Sequence, residues 1–164
     1  MSSSTVDGLT AAILTVSDSS AHGLRPDTSG PALASLLIQN SYQVIETAIV
    51  PDEIPEIQAA LIRMATNARL VVSTGGTGLS PRDVTPEATR TICERTIDGL
   101  SEIMRFEGLK KTPFAALSRS ICGTRGATLI INVPGSPKGA VESLSAIMHL
   151  IPHALNLLRG QTEH

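Results

Sequence analysis

The stretch from Leu70 to Ala88 concentrates residue types that handle phosphates. Thr74-Gly75-Gly76-Thr77-Gly78 puts three glycines in four positions, flanked by threonine hydroxyls. Such a run lets the backbone take φ > 0 and bring its amides close to an anion, forming a nest. Arg82 and Asp83 follow, one charge of each sign. Thr85-Pro86-Glu87 then reads as a helix start, with Thr85 as N-cap and Pro86 at the first helical position. A glycine run of this kind also serves as a plain tight turn, and two familiar phosphate motifs fail. The Walker pattern needs a lysine, and none follows Gly78; the dinucleotide fingerprint G-x-G-x-x-G fits Gly76 and Gly78 but meets Pro81.

Three further stretches have site character. Ser17-Asp18-Ser19-Ser20, with Asp27 beyond it, reads either as a ligand loop or as turn and capping chemistry. Asp52, in Pro51-Asp52-Glu53, is either a helix N-cap or a catalytic carboxylate. Asn132-Val133-Pro134-Gly135-Ser136-Pro137-Lys138 offers Ser136 as cap of a helix that Pro137 opens, leaving amides free to face an anion. Lys110 and Lys111 could attract phosphates or form a solvated turn. His149 and His153 sit one turn apart, with Pro152 between them and no acidic ligand nearby, which is thin support for a zinc site.

Strands must position these groups. Leu9–Val16, Arg69–Ser73 and Thr128–Val133 are apolar and β-branched, as buried strands are, and Gln43–Val50 reads as a further strand. Between them lie helical patterns. One opens at Ser29-Gly30-Pro31 and carries Leu33, Leu36 and Leu37; the next carries Ile57, Leu61 and Met64. Others start at Thr85, run from Gly99 to Gly108 with Ile103 and Phe106 on the apolar face, and open at Pro137 with Val141, Leu144 and Met148. Leu117–Ile121 and Gly123–Gly126 read as a short strand and turn, and a short helix ends at Leu158. The βαβαβα order predicts an α/β fold, a three-layer α/β/α sandwich around a mostly parallel sheet. Each polar stretch follows a strand, so all of them converge on one edge of that sheet, where ligands bind.

At 164 residues the chain is sized for one domain, expected over 9–160 with tails at 1–8 and 161–164. Apolar residues make up 41% and charged residues 17%, a globular composition. Aromatics are 2%, net charge is −2 and there is no basic run, which argues against a nucleic-acid partner. Cys93 and Cys122 lack metal spacing and read as buried thiols in a reducing compartment. No apolar run is long enough for a membrane span and no leader pattern opens the chain, so the expectation is a cytoplasmic protein without a membrane partner.

Together these residues resemble the MogA/MoaB family of molybdenum cofactor biosynthesis proteins. Thr74 to Gly78, Arg82-Asp83 and Thr85-Pro86-Glu87-Ala88 look like one family signature, and Asn132 to Pro137 like the second. Val16-Ser17-Asp18, Asp27-x-Ser29-Gly30 and Val50-Pro51-Asp52 also match, so the resemblance runs from about Leu9 to Gly160. It implies adenylylation of molybdopterin: the pterin's terminal phosphate attacks the α-phosphate of ATP, and pyrophosphate leaves. Asp52 and Asp83 would be the acidic residues of that step and the carboxylates for Mg²⁺, which keeps several waters and takes one or two carboxylates plus phosphate oxygens. Ser17, Asp18, Thr74 to Gly78, Glu87, Asn132, Pro134, Gly135 and Ser136 would bind nucleotide and pterin. A separate molybdenum-insertion protein would use the product. The resemblance also implies a homo-oligomer, a trimer or a hexamer; the helix from Gly99 and the segment Ile147–Leu158 offer the apolar surface for it. A non-catalytic pterin- or nucleotide-binding paralogue is the alternative, and retention of both aspartates argues against it.

Overall fold

The computed structural model describes residues 8–162; all but the innermost of the expected tail positions lie outside them. Strands β1 (Thr10–Val16), β2 (Gln43–Val50), β3 (Leu70–Thr74), β4 (Arg95–Thr96), β5 (Cys122–Arg125) and β6 (Thr128–Val133) form one sheet in the order β2-β1-β3-β6-β5-β4. The pairs β1–β2, β1–β3 and β3–β6 are parallel, whereas β5 runs antiparallel to both neighbours. Strand β4 is an element the sequence reading lacks; at two residues it has no periodicity to detect. The strand expected over Leu117–Ile121 does not form: Pro113–Leu117 is a 3₁₀ turn, and strand β5 occupies Cys122–Arg125, most of the stretch expected to be a turn.

Helices cover both faces. Side chains alternate along each parallel strand, so Ile13, Val72 and Ile131 point to one face while Leu14, Val71 and Ile130 point to the other. The first face packs on α2 (Ser29–Gln39), α5 (Asp98–Leu109), α6 (Pro137–Ile147) and α7 (Ile151–Leu158) through Leu33, Leu37, Met104, Leu144 and Leu155. The second packs on α3 (Ile54–Asn67) and α4 (Thr85–Ile92) through Ile57, Leu61, Met64 and Ile92. This is the expected α/β/α sandwich.

Several local expectations change. Ser17–Ser20 is not an open loop: a one-turn helix, α1 (Asp18–Ala21), starts there, with the Ser17 hydroxyl accepting from the Ser20 amide at 3.2 Å. The core face of α5 is Leu100 and Met104; Phe106 faces outward, with Lys110 Nζ 5.1 Å from its ring centre. On α6 the buried residues are Ala140, Leu144 and Ile147, and Val141 is only half-buried. Ile147, Met148, Ile151 and Leu155 belong to the chain's own core, while Leu157 of the same segment stays exposed. The buried Ile, Leu, Val and Ala set leaves Tyr42 as the aromatic in that core. Among the described residues no helix is long and apolar enough to cross a membrane.

Candidate active site

Register brings the polar stretches together. Thr15 pairs with Thr74, Thr74 with Val133, and Val16 with Val50, so four parallel strands end level. Ser17-Asp18, Asp52, the glycine loop and Pro134-Gly135-Ser136 therefore emerge on one edge.

The glycine loop is fixed from within. Gly75 has φ +100° and Gly76 φ +67°, in the left-handed region that favours glycine. A Cβ on Gly75 would lie 2.2 Å from the Val16 carbonyl oxygen, and one on Gly76 2.3 Å from Thr85 Oγ1. Thr85 is not the helix cap expected of it: Val84 occupies that position, and the Thr85 hydroxyl donates to the Gly75 carbonyl at 2.9 Å. Buried Thr74 donates to the Pro134 carbonyl at 2.7 Å, joining the loop to the second signature. Arg119 closes the far side. Its main-chain amide donates to Thr77 O at 2.9 Å, and its guanidinium donates to the carbonyls of Gly78 and Asp83, each at 2.8 Å, and to Glu87. Arg119 has no sequence signal, since it lies in an unpatterned polar stretch.

Two cavities meet here. The larger, about 600 Å³, runs from Thr77-Gly78 to an apolar wall of Met104, Phe114 and Leu117, with Lys111 and Glu142 paired at 3.4 Å on its rim. The second, about 490 Å³, is the more polar of the two and is lined by Ser17, Arg25, Asp27, Asp52, Thr74 and Gly75 among others. Arg25 is the one cation among its described lining residues. Gly76, Asp83, Gly135 and Ser136 belong to both cavities and form their junction. Helix α6 starts at that junction, its Ser136 hydroxyl accepting from the Gly139 amide at 3.1 Å, so the positive end of its dipole faces both spaces. The apolar wall escaped the sequence reading because Phe114 and Leu117 sit in a turn without helical or strand period.

Most of the residues named from the sequence line one cavity or the other: Ser17, Asp52, Thr74, Gly75, Gly76, Thr77, Gly78, Asp83, Pro134, Gly135 and Ser136. Three line neither. Asn132 is fully buried; its amide donates to Ser73 Oγ at 2.8 Å and Thr89 Oγ1 at 3.0 Å and accepts from the Ile121 amide. Its role is to bolt β6 to β3 and α4. The Glu87 carboxylate is taken by Arg119, which together with a main-chain hydrogen bond holds its pKa low against burial, the opposing and largest influence. Asp18 is engaged by Arg82, whose Nε donates to Oδ2 and Nη2 to Oδ1, both at 3.0 Å. Those bonds hold its carboxyl below the usual aspartate value.

Asp52 differs from Asp18. Burial pushes its pKa up, the Asp18 amide counters by donating to Oδ2 at 2.9 Å, and the charges of Asp18 and Asp83 push it up again. Oδ1 of Asp52 has no hydrogen-bond partner among the described residues. The same holds for Oδ1 of Asp83, whose Oδ2 accepts from Ser80 N at 3.1 Å. Two unpartnered hard oxygens in one cavity, one on a carboxylate whose charge burial disfavours, suit a divalent cation. No group of three or more His, Cys, Asp or Glu able to cage a metal occurs among the described residues. That donor set fits Mg²⁺, which keeps its waters and completes its shell with substrate phosphates.

A level parallel edge, a left-handed glycine loop and two adjoining cavities that share Gly76, Asp83, Gly135 and Ser136 make up the candidate site. Residues 12–153 match the family described as "Probable molybdopterin binding domain", and the chain belongs to that family. The crystal structure of the molybdopterin biosynthesis enzyme MoaB from Thermus thermophilus is similar, with 49% identity and a TM-score of 0.88 over 93% of this chain and 97% of that one. A molybdopterin adenylyltransferase of Helicobacter pylori is 41% identical over 152 residues, 90% of this chain and 86% of that protein. The molybdenum cofactor synthesis protein cinnamon of Drosophila melanogaster is 43% identical over 157 residues, 93% of this chain but 26% of that longer protein.

Proposed function

We propose that this chain catalyses the Mg-ATP-dependent adenylylation of molybdopterin, releasing pyrophosphate. The carrying observation is the junction: two cavities, one mostly apolar and the other more polar, share Gly76, Asp83, Gly135 and Ser136. Two phosphorylated substrates seated one on each side would bring their phosphates together there. Positioning of that kind supplies most of the catalysis in phosphoryl-type transfer, where the substrate's own phosphate is the nucleophile. The glycine-loop amides and the start of α6 offer fixed dipoles to the phosphates. Asp52 and Asp83 would hold Mg²⁺, which neutralises charge on the reacting phosphates when bound. The product would pass to a separate molybdenum-insertion protein in the cytoplasm. Exposed Phe106 and Leu109 support assembly into a closed homo-oligomer, a trimer or a hexamer; light scattering checks the mass.

The test is incubation of the purified protein with molybdopterin, ATP and Mg²⁺. The expected result is a pterin mass shift by one adenylyl group together with pyrophosphate release. Asp52→Asn and Asp83→Asn are expected to keep pterin binding and to lose turnover by roughly 10²–10³. Pterin binding without a mass shift would mark a non-catalytic binder and overturn the proposal.

A further inference from the structure

Asp18 came from the sequence as a binding residue, yet it lines neither cavity at the junction. Its bonds instead form a closed circuit with Asp52. The Asp18 amide donates to Asp52 Oδ2 at 2.9 Å, and the Asp52 amide donates to Asp18 Oδ1 at 3.0 Å. The residues are 34 apart in sequence and sit at the ends of adjacent strands β1 and β2. Each side chain thus fixes the other's main chain. Arg82, delivered by the loop after β3, grips both Asp18 oxygens and reaches Glu53 Oε1 at 3.0 Å. Three strand ends are therefore tied through one carboxylate.

We propose that Asp18 is a positioning residue for Asp52. The circuit uses Oδ2 of Asp52 and leaves Oδ1 facing Gly76, where a Cβ would stand 3.2 Å away. Without the Asp18 carboxylate the Asp52 amide loses its acceptor, the end of β2 is no longer held against β1, and the Asp52 carboxylate loses its alignment with the Asp18 amide. Arg82 neutralises Asp18, so that the circuit does not place two bare charges side by side. A residue whose main chain holds one oxygen of a ligating carboxylate and leaves the other free orients that carboxylate, and that is the part Asp18 takes.

This role rests on the adenylylation reading for its kinetic consequence but not for its structural one, and the experiment separates them. Amide hydrogen exchange of Asp52, followed by NMR, reads the circuit directly. Asp18→Ala removes the acceptor of the Asp52 amide, which is expected to lose protection; Asp18→Asn keeps an acceptor oxygen and is expected to retain it. In the adenylylation assay Asp18→Ala is expected to lower kcat roughly 10- to 100-fold with both KM values unchanged. Combined with Asp52→Asn, it is expected to slow the enzyme no further, because it acts through that carboxylate. Arg82→Gln, which keeps both main-chain bonds available, is a second variant and is expected to lower kcat in the same direction. Full protection of the Asp52 amide in Asp18→Ala would overturn the proposal. So would a raised KM at unchanged kcat, or losses that multiply in the double variant. A parent that does not adenylylate molybdopterin would overturn the proposed function alone, and the exchange comparison would still decide the role of Asp18.

Discussion

Replacing Asn132 with Ala tests whether the second signature opens with a bolt or with a ligand contact. Asn132 is inaccessible to solvent, and all its side-chain bonds stay inside the protein: to Ser73 and Thr89 as donor, and to Ile121 N at 3.3 Å as acceptor. Removing it strands the buried Ile121 amide, at about 1–3 kcal/mol for an unpartnered buried donor. The hydroxyls of Ser73 and Thr89 each lose a donor, and a net neutral hydrogen bond contributes about 1 kcal/mol. The sum is about 3–5 kcal/mol, a large share of the roughly 5–15 kcal/mol that holds a domain together. At about 2–4 °C per kcal/mol for a chain of this size, the melting temperature should fall by roughly 6–20 °C. Urea unfolding and a thermal scan of the parent and Asn132→Ala measure it. At a temperature where both are folded, ligand affinities should agree. A parent-like melting temperature together with a large loss of affinity would refute the bolt and return Asn132 to the site.

Gly135→Val would bring a Cβ within 3.3 Å of Gly75 Cα at the wall shared by both cavities, so affinity for ATP and pterin should fall while the urea midpoint stays close to the parent's; unchanged calorimetric affinities would count against the junction. Arg82 holds the Asp18 carboxyl below its ordinary value of 3.8. A carboxyl depressed by folding contributes stability above its unfolded pKa and loses it as pH falls through the folded one. The stability gap between the parent and Arg82→Gln should therefore be level near neutrality and close below pH 3.8, and urea midpoints at stepped pH would expose a gap that widens instead. Burial pushes the Cys122 thiol up to about 12 and the Cys93 thiol up to about 11. Both should resist iodoacetamide in the native protein at about pH 8 and react once unfolded, as read by mass spectrometry; rapid native labelling of Cys122 would contradict its burial.

The fold was legible wherever the pattern had a period and was bounded. Gln43–Val50 and Thr128–Val133 were read to the residue because apolar, β-branched runs end there at Pro51 and Pro134. Ile57, Leu61 and Met64 were read as one face because i, i+4, i+7 spacing can bury together only on a helix. What failed had no local period. Phe106 fits the spacing of α5 yet faces out, since a pattern cannot say which of two partly apolar stripes the sheet will cover.

For the site, sequence order gave the place but not the division of labour. Asp18 and Asp52 look alike in the sequence: each is an aspartate just beyond a strand. They separate only when partners 34 and 64 residues away arrive, Asp52 and Arg82 on Asp18, leaving Asp52 half-buried with an oxygen to spare. Burial and charge then pull the two apart, Asp18 below its ordinary pKa and Asp52 above it. A carboxylate stabilised by an arginine has little to gain from a metal ion. One that burial and two neighbouring carboxylates disfavour has much to gain, and its spare oxygen faces the glycine loop at Gly76. Strand register at Val16 and Val50 creates that difference, because it alone sets the Asp18 and Asp52 amides opposite each other's side chains.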